Sequence, residues 1–154
     1  NDSEEHLYEY SAQALEAIGK ATTEHFRKAY PLAKGAPRIT ILQGLGVLQD
    51  KKSRQFFLSA IQDTDLEIRL AGIWGLMRIS SGKDAGLMLS QSLKEKGWGR
   101  TKATAYCFEL AEKLASNGQS NEAKAIYIKI KKSHSEKQDA YLGESADRGL
   151  AQLK

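Results

Sequence analysis

Three histidines are the side chains in this sequence best suited to bind a metal ion or to transfer protons near neutral pH. They are His6, His25 and His134, which fall in different segments and show no ligand spacing such as H-x-x-x-H. Structural or solvated roles are therefore favoured for all three. The sequence predicts neither a metal site nor a cofactor site.

The only cysteine, Cys107, could act as a nucleophile. It shares one helical face with Ala103, Leu110 and Leu114, which form an apolar stripe. Free cysteines on such stripes are usually buried, and buried thiols are normally inert. The favoured interpretation is packing, and a lone cysteine also excludes an internal disulfide framework.

Three carboxylates, Asp63, Asp65 and Glu67, could hold a cation or act in acid–base catalysis. They lie at a predicted helix start, where negative charge offsets the helix dipole and side-chain oxygens cap unpaired N–H groups. Thr64 and Glu67 also have capping-box spacing. Capping is therefore favoured. Because no set of catalytic groups converges, the sequence predicts no catalytic residue and no enzyme activity.

The segments that carry these residues recur with a step of 31 residues. Apolar or small side chains occupy equivalent positions in successive predicted helices, namely Ile41, Gly72 and Ala103; Leu45, Leu76 and Cys107; Leu48, Ile79 and Leu110; and Phe26, Phe57 and Met88. Arg38, Arg69 and Arg100 keep the same step. A fixed period in this range is typical of stacked helix pairs. The sequence therefore predicts an all-α repeat protein. Gly44, Gly46, Gly72 and Gly75 indicate close approach of neighbouring helices, since glycine inside a helix otherwise costs about 1 kcal/mol.

Residues 45–79 resemble the bacterial HEAT-repeat pattern, on the matching positions Asp63, Asp65, Glu67, Ile68, Arg69 and Ala71. Residues 110–130 look more like a tetratricopeptide segment, on Gly118, Glu122, Ala123, Ile126 and Tyr127. The resemblance implies an α-α superhelix, a right-handed solenoid of about four antiparallel helix pairs behind an N-terminal capping helix that includes Leu7, Ser11 and Leu15. It implies one domain over residues 1–154 and a protein-interaction scaffold of bacterial type.

A candidate binding face lies on the second helices of the pairs. It carries Trp74 and Trp98, with Arg38, Arg78 and Lys102 beside them. In HEAT-like stacks this face lines the concave side, so the five residues are predicted to contact a partner. Aromatic and arginine side chains are frequent binding hot spots. Packing of both indoles between helix layers is an equally weighted alternative.

The charge balance leaves the partner open, because 23 basic residues stand against 19 acidic ones. The leading hypothesis is a non-enzymatic interaction or scaffolding module that binds a protein, a peptide or a neighbouring domain through the concave face. One alternative is a nucleic-acid-binding solenoid similar to HEAT-type DNA glycosylases, for which only Glu67 or Glu109 could supply the acid. Another is a structural spacer in a secreted multidomain protein. Nucleic acid is the less expected partner.

No run of 18 apolar residues occurs, so membrane insertion is not expected. The sequence begins at Asn1 rather than Met, and we expect a module of a longer chain. The compartment stays open, with a periplasmic or secreted location favoured over a cytoplasmic one.

Overall fold

Helices form all the regular secondary structure that the computed structural model describes, which covers residues 10, 14, 17–134 and 139–153. No strand occurs in those ranges, so the all-α prediction is confirmed. Most of the predicted N-terminal capping helix, including Leu7, Ser11 and Leu15, lies outside the described residues, and so does His6. None of the described helices is both long enough and apolar enough to span a bilayer.

Contacts within the chain divide it into two compact units, Asn1–Ile79 and Ser80–Lys154. Unit 1 contains α1 (Thr23–Ala29), α2 (Ala36–Val47), α3 (Arg54–Ala60) and α4 (Leu66–Ile79), with 3-10 turns at Gly19–Thr22, Tyr30–Leu32 and Lys51–Ser53. Unit 2 contains α5 (Ala85–Lys94), α6 (Gly97–Ser116), α7 (Ser120–Ser133) and α8 (Ala140–Gln152).

The core of unit 1 forms where α4 packs against both α2 and α3. Phe57 of α3 is fully buried and lies on Gly75 of α4, where a Cβ atom would collide with its ring. At Gly72 a Cβ atom would lie 2.8 Å from Cβ of Ala60. The expected close approach is confirmed at both glycines, because these helix axes are too near each other for a larger residue.

The core of unit 2 forms as each helix packs against its neighbour in the chain, α5 with α6, α6 with α7, and α7 with α8. Ala103, Cys107 and Leu110 of α6 are buried, as the 31-residue columns predict. Tyr127 of α7 is also buried and lies on Gly149 of α8. The repeat pattern thus identifies the buried stripe of the longest helix.

Asp63 and Asp65 form hydrogen bonds with backbone N–H groups around the start of α4. Oδ1 of Asp65 accepts hydrogen bonds from the backbone N–H groups of Glu67 at 2.8 Å and Ile68 at 3.4 Å, and Oδ1 of Asp63 accepts one from Asp65 N–H at 3.0 Å. The capping role is confirmed for Asp65, whereas Asp63 holds the turn before α4 through the Asp65 N–H group. The predicted capping box at Thr64 is wrong, because α4 begins at Leu66 and the residue before it is Asp65.

Candidate functional site

Trp74 lies in the middle of α4 and is half-buried against α2. Its six-membered ring covers Gly46, where a Cβ atom would collide with the indole. The guanidinium carbon of Arg78 lies 5.7 Å from the Trp74 ring centroid, and Nε of Arg78 lies 3.5 Å from the Gly46 carbonyl oxygen. Trp74 and Arg78 therefore fill the joint between α2 and α4 within unit 1.

Arg38 lies at the start of α2 and is already engaged inside unit 1. Its guanidinium stacks on the Tyr30 ring at 4.7 Å, and Nη1 lies 3.3 Å from Oδ2 of Asp63. The Arg38 side chain is only 25% exposed. Its charge is therefore neutralised by a carboxylate in the turn before α4.

Arg100 makes the equivalent ion pair in unit 2. It follows Arg38 by two 31-residue steps, and its Nη2 lies 2.6 Å from Oδ2 of Asp139, at the start of α8. In both arginines Nε is buried without a hydrogen-bond partner. Arg38 and Arg100 thus each tie the start of one helix to the turn before a later helix of the same unit. Arg69 instead donates to the carbonyl oxygens of Asp63 and Thr64, in the turn before its own helix.

Trp98 has a different environment from Trp74. It is the second residue of α6 and is 58% exposed. The 31-residue step aligns it with Glu67 and Ala36, which are also exposed. Trp98 therefore places a large aromatic side chain at a register position that faces solvent in all three repeats, and this exposure of an indole is unusual for a helix surface.

The first turn of α6 around Trp98 is electropositive. Lys96 is the N-cap residue and makes no side-chain capping hydrogen bond, and the first turn contains no acidic residue. Lys96 and Lys102 are both exposed, and Nζ of Lys102 lies 5.4 Å from the Tyr106 ring centroid. The uncapped N–H groups of the helix add their partial positive charge to that of the lysines.

A cleft of about 420 Å³ lies between the start of α6 and the start of α8. Its lining includes Lys96 and Thr101 on one side and Tyr141 and Leu142 on the other. Tyr141 is 49% exposed. We define the Trp98 surface as Lys96, Trp98 and Lys102 at the start of α6, which combines an exposed indole with two exposed lysines.

The carboxylates that line this cleft are buried and bonded to other side chains. Asp139 binds Arg100, and Oε1 of Glu95 accepts a hydrogen bond from Nε2 of Gln91 at 3.1 Å. Neither carboxylate offers its charge freely to solvent. The exposed charged side chains between Lys94 and Lys102 are all lysines.

Cys107 is 1% exposed, and burial raises the pKa of its thiol to about 12. A thiol with such a pKa is neutral at physiological pH and a poor nucleophile. This buried environment agrees with the interpretation that Cys107 packs in the core.

His134 is buried at the end of α7, and both of its ring nitrogens have partners. Nδ1 donates to the Ile130 carbonyl at 3.0 Å, because a carbonyl can only accept, and Nε2 lies 3.3 Å from Oγ1 of Thr104. His25 is exposed on α1. In the described part of the chain, no three or more His, Cys, Asp or Glu side chains are grouped to hold a metal ion.

The five predicted binding residues fall into both units, with Trp74, Arg38 and Arg78 in unit 1 and Trp98 and Lys102 in unit 2. Tyr141 was not predicted, since no column of the 31-residue pattern includes it. No family model matches the sequence, and no curated protein or solved structure matches it either. The resemblance to HEAT and tetratricopeptide repeats rests on the residues quoted above.

Proposed function

We propose that this protein is a non-enzymatic interaction module that binds a protein or peptide through the Trp98 surface. The exposure of Trp98 in the first turn of α6, near the exposed Lys96 and Lys102, is the observation that supports this most strongly. Covering a solvent-exposed indole removes a large apolar area from water, and tryptophan is among the residues most enriched at binding hot spots. The HEAT-like and tetratricopeptide-like segments support the same function, since scaffolds of these kinds bind other proteins.

In this proposal the predicted residues have two different roles. Trp98 and Lys102 contact the partner, because both are exposed. Trp74, Arg78 and Arg38 stabilise unit 1, because each is already packed against or paired with groups of that unit. An aromatic side chain that is packed against its own protein offers less new burial to a partner.

The environments of the reactive side chains also favour binding over catalysis. Cys107 is buried with a raised pKa, Asp65 caps α4, and Asp63 is bonded to the Asp65 N–H group and to Arg38. An active site requires reactive groups that converge on a space large enough for the substrate. The cleft between the starts of α6 and α8 presents one lysine, a threonine and a tyrosine, and its two carboxylates are bonded to other side chains.

A displayed library of random peptides tests the proposal. Selection on the wild-type protein should enrich sequences that no longer bind the Trp98→Ala protein. Leu32→Ala is the matched control, because Leu32 is an exposed apolar residue of unit 1 and is 85% exposed. It should retain the selected peptides. Enrichment that survives Trp98→Ala contradicts the proposed surface, and absence of any enrichment contradicts peptide binding and favours the spacer alternative.

A further inference from the structure

The charge of this protein is distributed unevenly between its two units. Residues 1–79 contain 10 basic and 10 acidic side chains, whereas residues 80–154 contain 13 basic and 9 acidic ones. The formal net charge of +4 therefore belongs entirely to unit 2, the unit that carries Trp98. A partner of unit 2 meets a basic domain, and opposite charge accelerates and orients such an encounter.

The exposed charged side chains at the start of α6 are lysines. Lys94, Lys96 and Lys102 are exposed, and the N-terminal turn of α6 adds the positive end of a 20-residue helix. The carboxylates of Glu95 and Asp139 do not offset this charge toward solvent, because they are buried and bonded. An incoming group at the start of α6 thus meets exposed lysines and an exposed indole.

We propose that the partner of the Trp98 surface is an acidic peptide segment in which carboxylates flank an apolar side chain. This inference rests on the proposed function and names the partner's chemistry. The apolar side chain packs against Trp98, while the carboxylates pair with Lys96 and Lys102. Apolar contact supplies most of the affinity, and the charge pairs at the rim supply orientation and selectivity.

The extent of the positive surface favours a short peptide over a nucleic-acid strand. Along α6 the exposed side chains change sign after Lys102, because Glu109 and Glu112 follow on the same helix. On α8 the exposed Glu144 follows Tyr141 by one turn. A strand with a phosphate at every nucleotide would extend onto these carboxylates, whereas a peptide with a few carboxylates ends before them.

Fluorescence anisotropy with defined probes tests the inference. The first probe is a labelled peptide with Leu-Phe between runs of Asp and Glu. The second has Lys in place of the acidic residues, the third has Gly-Gly in place of Leu-Phe, and the fourth is a labelled oligothymidylate. Only the first should bind well, and raising the salt from about 50 to about 500 mM should weaken it about tenfold, since exposed charges are screened.

Variants locate the site. Trp98→Ala should weaken binding of the first peptide by about tenfold or more, and Lys102→Glu should weaken it about fivefold. Lys124→Glu is the matched control, because Lys124 is exposed in unit 2 but lies near the start of α7. Since α7 follows α6 through a short turn and packs against it, Lys124 lies near the far end of α6. This control should bind like wild type.

The outcomes separate this inference from the proposed function. If the displayed library yields Trp98-dependent peptides that are basic or uncharged, and the acidic probe does not bind, the proposed function stands and the acidic partner is overturned. If oligothymidylate binds more tightly than the acidic peptide and loses affinity in Trp98→Ala, the surface binds nucleic acid and both proposals are wrong. Equal loss of acidic-peptide binding in Lys102→Glu and Lys124→Glu also overturns the assigned site, because it indicates attraction by net charge alone.

Discussion

The two tryptophans lie on successive second helices, yet Trp74 is packed and Trp98 is exposed. The positions of the two tryptophans within their helices explain the difference. Trp74 occupies the middle of α4, where Gly46 of α2 leaves space for the indole, whereas Trp98 occupies the first turn of α6. The comparison teaches that position within the repeat, rather than residue type, separates a packing tryptophan in unit 1 from a candidate binding tryptophan in unit 2.

Thiol chemistry gives the largest expected contrast between a buried position and the Trp98 position. The raised pKa of Cys107, about 12, leaves a thiolate fraction of about 10⁻⁴ at pH 8, so the native protein should resist alkylation. In Trp98→Cys, one thiol per chain should react rapidly and Cys107 should stay protected. Mass spectrometry after timed alkylation measures both sites. Rapid native modification of Cys107 would contradict its burial.

Stability should distinguish the two tryptophans directly. Trp74→Ala should lower the free energy of unfolding by about 3 kcal/mol, because it empties the joint between α2 and α4. Trp98→Ala should lower it by less than about 1 kcal/mol, as expected for a side chain exposed at a helix start. Urea unfolding followed by circular dichroism gives both values. Equal losses would remove the distinction between the two sites.

Substitution of the two aspartates that pair with Arg38 and Arg100 tests whether these ion pairs stabilise both units alike. Asp63→Ala and Asp139→Ala should each cost about 2 kcal/mol, because each leaves a largely buried guanidinium without its carboxylate. Asp147→Ala is the control, since Asp147 and Lys131 form an ion pair whose side chains are each 53% exposed. It should cost no more than about 0.5 kcal/mol. A loss at Asp139 as small as that at Asp147 would contradict the assigned role.

Glycine substitutions give the smallest expected effects, and their signs should differ. Gly46→Ala should destabilise the protein by about 1–2 kcal/mol, because the added Cβ meets Trp74, and Trp74→Phe should reduce that loss. Gly143→Ala should stabilise the protein by about 0.5–1 kcal/mol, because Gly143 lies within α8 and a Cβ there meets nothing within 4 Å. Thermal and urea unfolding measure both changes. Destabilisation by Gly143→Ala would count against the helix packing described for unit 2.

Helix periodicity predicts the core well. The columns through Ile41, Gly72 and Ala103 and through Phe57 and Met88 are buried in the structure, because a side chain repeated at one register faces the same neighbour each time. The same register aligns Trp98 with Glu67 and Ala36, and all three residues are exposed. The prediction that Trp74 and Trp98 share one binding face did not take this alignment into account.

The sequence pattern does not predict which side chains pair across loops. Arg38 pairs with a residue 25 positions later and Arg100 with one 39 positions later, so no fixed spacing links the two pairs. Tyr141 joins the cleft only because α8 begins beside the start of α6. Such groupings depend on how turns bring helix ends together, which a one-dimensional period does not encode.

The central claim is that Trp98 is the exposed indole and that a partner covers it. Because the chain contains two tryptophans, Trp74→Phe leaves Trp98 as the only one, and Trp98→Phe leaves Trp74. Acrylamide, a neutral quencher, should quench the Trp98-only protein steeply and the Trp74-only protein weakly. Bound acidic peptide should protect Trp98 and leave Trp74 unaffected. Equal quenching of the two proteins, or protection of Trp74 alone, would contradict the account.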